Sequence, residues 1–450
     1  MTASWAALRN PVFGKLWIAS VISGTCVAAH DNAATYTINT LAASPFLISL
    51  ISTMASLPFF LFTLPAGALA DIVNRKRLLC AINLWLAAAA VAPAILGWLN
   101  LLNPYLILIS VFSLGVGFAF NAPTWTSIVP QVVSDRELPS AATLGGLQFN
   151  ISGIIGPALG GLLVPLIGAN FVFVANAACF LLVILVVLQW KQPTLPAKVS
   201  SQRFSQSFGT AIRYIRCAPE LQSMLGRNFL FSLFISAIPA VVPVVGLKVL
   251  HLSSSNLGLL FTSMGAGSMI GALSIAPWFR ARYSSNALIL SANLLIVLTY
   301  ALMGLVHQTE LFVLVAALVG VGWTLSASEL WVTAQRAMPD WVRGRMNATI
   351  IMVSQGAMVI GGLMWGTAVA IAGPSYTLLG AAVLFLISLL LGARLSINFR
   401  ANLKEGVSKV LSMSVKSEGV APTPRYRLPA GLVDQALIQF CCWCRIDARR

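Results

Sequence analysis

Gly67-Ala-Leu-Ala-Asp71-Ile-Val-Asn-Arg75-Lys76-Arg77 sets one aspartate and three cations between two long apolar stretches, 45–70 and 78–100. An uncompensated charge inside lipid is costly, so the cluster reads as a turn at the cytoplasmic membrane edge whose ion pairs make and break. The flanking stretches are each long enough to cross a ~30 Å hydrocarbon layer as a helix.

Outward from this turn the same pattern fills most of the chain. Hydrophobic residues make up 58% and charged residues 9% of 450, and the mean hydropathy is +0.87, which excludes a soluble globular domain. Twelve spans are expected, at 13–40, 45–70, 78–100, 104–131, 140–168, 170–190, 222–250, 256–279, 286–307, 311–338, 345–372 and 374–397. Their apolar runs are continuous, whereas the strands of a lipid-facing barrel would alternate, so the spans are helices.

A net charge of +16 suggests nucleic acid in a soluble protein, but here its placement is an orientation signal. Arg9, Lys15, Arg75–Arg77, Arg136, Lys191, Lys198, Arg203, Arg213, Arg216, Arg280, Arg282, Arg336, Arg343 and Arg345 fall on one side, with little beyond Lys248 opposite. Both termini are therefore expected in the cytoplasm. The first apolar run is too long for a cleavable signal and lacks a small-residue cleavage site. The seven cysteines imply no disulfide framework, and Cys441-Cys442-Trp443-Cys444 reads as a thiol-rich tail rather than a metal site.

The chain repeats at an offset of 205 residues, which carries Asp135 to Asp340, Gly156 to Gly361, Gly161 to Gly366, Gly168 to Gly373, Arg75 to Arg280 and Arg77 to Arg282. Asp71 lands on Ala276, so the second half lacks the acid. The expected organisation is a six-helix bundle over 1–190, a cytoplasmic linker over 191–221, a second bundle over 222–398 and a tail over 399–450. In the linker, Phe204, Phe208, Ile212 and Ile215 recur at helical spacing beside Arg203, Arg213 and Arg216, as in a helix lying on the inner leaflet; a solvated connector fits as well. The tail loses periodicity and is left without a fold.

In the fifth span, Gly153-Ile-Ile-Gly156-Pro157-Ala-Leu-Gly160-Gly161 lets a neighbouring helix approach closely, and Pro157 removes a backbone donor. The 67–77 stretch resembles the loop motif between helices 2 and 3 of the major facilitator superfamily. Gly156-Pro157-x-x-Gly160-Gly161 resembles the antiporter motif of its exporters. Pro45 to Asp71, Asn121 to Pro130 with Arg136-Glu-Leu-Pro139, and Gln335 to Arg345 look like the transmembrane secretion effector branch, which includes enterobactin-exporter-like and macrolide-efflux-like proteins. The resemblance spans about 10 to 398. It implies two pseudo-symmetric bundles working by alternating access around a midplane site, with Gly67, Asp71, Arg75, Lys76 and Arg77 as a gating motif. The chain departs from the general loop motif at Ile72 and Asn74, and it has no arginine between Pro104 and Val129, where many proton-driven drug exporters carry one.

Two acids remain inside spans, Asp31 and Glu329. Burial disfavours a charged carboxylate, so either is a candidate to bind a proton or a cationic cargo group. Alternatively each is a structural acid, with Glu329 held by Arg336 two turns along its own helix. His30 points about 100° away from Asp31 and reads as a neighbour. Tyr36, Phe59, Phe62, Phe120, Trp125, Trp323 and Trp331 are candidates for an aromatic cavity wall, suited to an amphipathic or aromatic molecule, although packing explains any one of them. Trp17, Trp98, Trp190, Trp278 and Trp341 sit at span ends as interfacial anchors. Gly265-x-Gly267-x₃-Gly271 follows no strand and reads as helix packing, and no Walker lysine appears.

The sequence thus leads to an all-α membrane protein that exports a siderophore-like metabolite or a macrolide-like drug. It is expected to act as a monomer in the cell membrane, coupled to protons, with no cofactor, metal or nucleic-acid partner. Lipid or lysolipid movement is the alternative. A sensor would want an output domain and an enzyme a catalytic constellation, and His30, His251 and His307 are far apart.

Overall fold

A computed structural model describes residues 5–41, 44–190, 219–337 and 343–392, apart from the side chains at 71, 219–220, 336–337, 343–345 and 392. The expected linker helix, the tail and Trp341 lie outside the described residues. Among the described residues, twelve helices are long and apolar enough to cross a membrane. They are α1 Pro11–Leu41, α2 Pro45–Ile72, α3 Arg75–Trp98, α4 Pro104–Val132, α5 Leu138–Ile167, α6 Ala169–Gln189, α7 Leu221–Val249, α8 Ser254–Arg280, α9 Ser285–Leu305, α10 Thr309–Ala337, α11 Arg343–Ala372 and α12 Pro374–Gly392. Two of them contain π-helical turns, Val245–Val249 at the end of α7 and Gly271–Ile275 within α8.

Short polar residues set the helix starts. Asn74 Oδ1 accepts from the Arg77 N–H (3.1 Å), so the three cations form the first turn of α3 and only Val73 and Asn74 separate it from α2. The charged hairpin expected from sequence is therefore a two-residue turn. Asn103 and Ser284 cap α4 and α9 in the same way.

The 205-residue repeat has structural content. Gly168 and Gly373 both take positive φ, 86° and 82°, at the α5–α6 and α11–α12 turns. Gly156 lies against Thr25 and Ala28 of α1, and its equivalent Gly361 against Leu233 and Ser236 of α7. Helices α1–α6 and α7–α12 pack as two bundles, joined mainly through α5 against α8 and α2 against α11.

These joining contacts lie at one end. Ser255 Oγ donates to Gly161 O (3.1 Å), Thr262 Oγ1 to Ile154 O (3.0 Å) and Ser49 Oγ to Ala240 O (2.7 Å). Bonds of this kind in membrane proteins contribute about 0.6 kcal/mol each, so close glycine packing does most of the joining. At the other end, which carries Arg75–Arg77 and Arg280, Gly67 of α2 and Gly145 and Gly146 of α5 face open space. The start of the chain is tied to this basic end, where Asn10 Nδ2 donates to Val132 O (2.6 Å) and the Ala7 N–H to Ser140 Oγ (3.2 Å). Among the described residues, the two bundles are thus joined toward the far end, and these three glycines at the basic end meet no neighbouring helix.

Candidate transport site

Of the expected gate residues, Lys76 rests on the end of α6. Its Nζ donates to Leu188 O (2.8 Å) and Trp190 O (2.6 Å), the last carbonyls of α6, where a cation completes the helix end. Trp190, expected as an interfacial anchor, is buried beneath this contact. Arg75 and Arg77 form no ion pair with a described side chain, and the side chain of Asp71 lies outside the description.

The two intramembrane acids differ. Glu329 of α10 is 1% exposed, and its Oε2 accepts from Arg280 Nε of α8 at 2.7 Å; Arg280 Nη2 also reaches Ser328 Oγ (3.4 Å). The partner expected from helical spacing was Arg336, whose side chain lies outside the described residues; the partner found among them, Arg280, comes from the neighbouring helix at the basic end. Asp31 has no ion-pair partner among the described residues. On α1, His30 faces α6, with its ring 4.5 Å from that of Phe173, and Asn32 faces α5, where Nδ2 donates to Pro157 O (3.3 Å). The face left to Asp31 is exposed and borders α2, α4 and α8 only sparsely.

The α5 motif is squeezed between two helices. Gly156 and Gly160 admit the α1 backbone at Thr25, Ala28 and Ala29, and Gly161 admits α8, with Gly258 Cα and Ser254 O each 2.9 Å from where a Cβ would stand. Helix α5 continues through Pro157. The same residues thus fix α1 to α5 and join the bundles toward the far end. Gly265 and Gly267 of α8 likewise pack on Gly153 and Ala317, the helix-packing role expected of them.

A cavity of about 260 Å³ lies among α7, α10 and α11. Trp323 and Trp331 line it, together with Phe231, Met224 and Met358. Its polar groups are Asn228, Gln355 and the hydrogen-bonded pair Ser232–Ser354 (2.6 Å), and among the described residues no charged side chain contributes. Tyr36, Phe59, Phe62, Phe120 and Trp125 are not in its wall. Instead Phe62 packs on Phe120 with ring centroids 6.0 Å apart, Tyr36 packs against the core and Trp125 packs beside Leu16 and Ile128. Asn228 and Gln355 had no sequence signal, because a lone amide in a span becomes visible as a cavity group only once α7 meets α11.

Two six-helix bundles joined toward one end, with an aromatic cavity inside the second, define a membrane transporter of the major facilitator fold. The family model described as transmembrane secretion effector matches residues 2–416, and the chain belongs to that family. It is 21% identical over 355 residues to macrolide efflux protein A of Streptococcus pyogenes, covering 78% of this chain and 87% of the relative. It is 24% identical over 367 residues to the enterobactin exporter EntS of Citrobacter koseri, covering 79% and 85%. Among solved structures, a bacterial homologue of the human lysosomal transporter Spinster, inward-facing and unoccupied, superposes with a TM-score of 0.69 at 15% identity, covering 87% of this chain and 98% of that one. The nucleoside transporter NupG gives 0.65 at 14%, covering 85% and 98%. The protein is thus a multi-pass member of an efflux and secretion family.

Proposed function

We propose that the protein exports a hydrophobic, aromatic small molecule from cytoplasm to outside by alternating access, driven by proton entry. The carrying observation is the cavity wall of Trp323, Trp331 and Phe231 with a few amides and hydroxyls and, among the described residues, no charge, which suits an amphipathic aromatic group better than a sugar. At about 260 Å³ it takes one ring system of a larger cargo. That the relatives are named for macrolide efflux and enterobactin export supports cargo of this kind.

The positive-inside rule assigns the basic end to the cytoplasm, so that end receives cargo from inside the cell. Closure there, with Asp71 meeting Arg75 and Arg77, accompanies parting of the α5–α8 and α2–α11 seams. Asp31 takes the coupling proton, because Glu329 is already engaged by Arg280. The protein acts as a monomer in the cytoplasmic membrane.

The test is accumulation of fluorescent hydrophobic compounds and catecholate siderophores in cells expressing wild type or Asp31→Asn, with and without a protonophore. Lower accumulation, abolished by the protonophore and by the substitution, is expected. Export by Asp31→Asn at the wild-type rate under a proton gradient removes Asp31 from the mechanism, and unchanged accumulation of every compound overturns the cargo class in favour of lipid.

A further inference from the structure

Halfway along α1 and α6 two thiols meet: the Sγ atoms of Cys26 and Cys179 are 2.9 Å apart. One turn further along α1, on the same face, the His30 ring packs tilted against Phe173 of α6, and Asn176 lies on α6 midway between Phe173 and Cys179. His30 and Asn176 are both buried, and none of their four side-chain nitrogen and oxygen atoms has a hydrogen-bond partner among the described residues. Two turns of this seam therefore hold two thiols, an imidazole and a carboxamide, where apolar side chains would pack without the cost of unpaired polar groups. Packing alone does not account for such a set.

We propose that Cys26 and Cys179 form a peroxide-sensitive dithiol, oxidised to an intrachain disulfide that fixes α1 to α6. One thiolate attacks the O–O bond of hydrogen peroxide, giving a sulfenic acid and water; the second sulfur then displaces the hydroxyl of the sulfenic acid, forming the S–S bond and releasing a second water. Two thiols are oxidised and one peroxide is reduced. The proton that leaves the attacking thiol ends on the hydroxide expelled from the peroxide, which accounts for the first water. Closing from 2.9 Å to the ~2.05 Å of a disulfide needs a movement of about 0.9 Å. Both sulfurs sit near the middle of their helices, where small uncharged peroxide penetrates and charged glutathione does not, so the cytoplasmic reducing pool acts on them slowly. Asp31 lies five residues along α1 from Cys26, so the bond also restrains the helix that carries it.

The test uses the full chain in native membranes. After hydrogen peroxide treatment, the protein is denatured in N-ethylmaleimide, reduced, labelled with isotopically heavy N-ethylmaleimide and mapped by mass spectrometry, with Cys80 as the internal reference. Cys26 and Cys179 should gain heavy label together and several-fold above Cys80, and a non-reduced digest should contain their two peptides joined. In Cys179→Ser, with dimedone added beside the first N-ethylmaleimide to cap any sulfenic acid before reduction, Cys26 should lose the heavy label. Light label at both positions, or heavy label at Cys26 that persists in Cys179→Ser, overturns the proposal.

Discussion

Replacing Arg280 by alanine strands a carboxylate. Glu329 is 1% exposed and depends on the 2.7 Å bond from Arg280 Nε, whereas the Arg280 side chain is 35% exposed. Removing one partner of a buried ion pair costs about 3–5 kcal/mol, because the remaining charge keeps its desolvation penalty without its compensation. The two single substitutions are therefore unequal. Glu329→Gln leaves a cation that can turn its long stem toward water, and the glutamine oxygen still accepts from Nε, so its cost should be about 1 kcal/mol. Arg280→Ala should cost about 3 kcal/mol or more, and the double variant Arg280→Ala/Glu329→Gln should recover most of that loss. Unfolding of detergent-solubilised protein by titration with sodium dodecyl sulfate, followed by tryptophan fluorescence, gives the three free energies. Equal costs for the two single variants, or a double variant no more stable than Arg280→Ala, would refute the reasoning.

Gly161→Val puts a side chain where Gly258 Cα and Ser254 O already stand 2.9 Å from a Cβ, and neither backbone can yield. The far end should open, read as faster labelling of a Ser255→Cys reporter by a membrane-impermeant maleimide applied outside. Lys76→Ala removes both bonds to the α6 terminus and should cost about 1–2 kcal/mol, with faster hydrogen exchange at the end of α6 and recovery in Lys76→Arg. Trp331→Ala removes one aromatic wall of the cavity and should raise the KM for an aromatic cargo about five- to tenfold, while Phe62→Ala, outside that wall, should leave it near wild type.

The spans were legible because lipid leaves the chain no choice: a backbone without water must satisfy itself, and only continuous apolar helices do so. The repeat was legible too, since a glycine such as Gly168 or Gly373 marks the same left-handed turn in each half. What sequence could not supply was the partner across a helix boundary. Spacing offered Glu329 only Arg336 on its own helix, while Arg280 reaches it from 49 residues away. Nothing local to Lys76 shows that the end of α6 comes to rest on it. Trp323 and Trp331 stood among seven aromatic candidates, and only the approach of α7 and α11 to α10 separates the cavity wall from the Phe62–Phe120 contact. Cys26 and Cys179, 153 residues apart, carry no local sign of meeting.

Direction is the central claim, and inside-out membrane vesicles test it most directly. With the basic end facing the medium and an imposed proton gradient, acid inside, vesicles carrying the protein should accumulate an aromatic cargo, and collapsing the gradient should release it. Accumulation by right-side-out vesicles driven by inward proton flow, with none in inside-out vesicles, would contradict export.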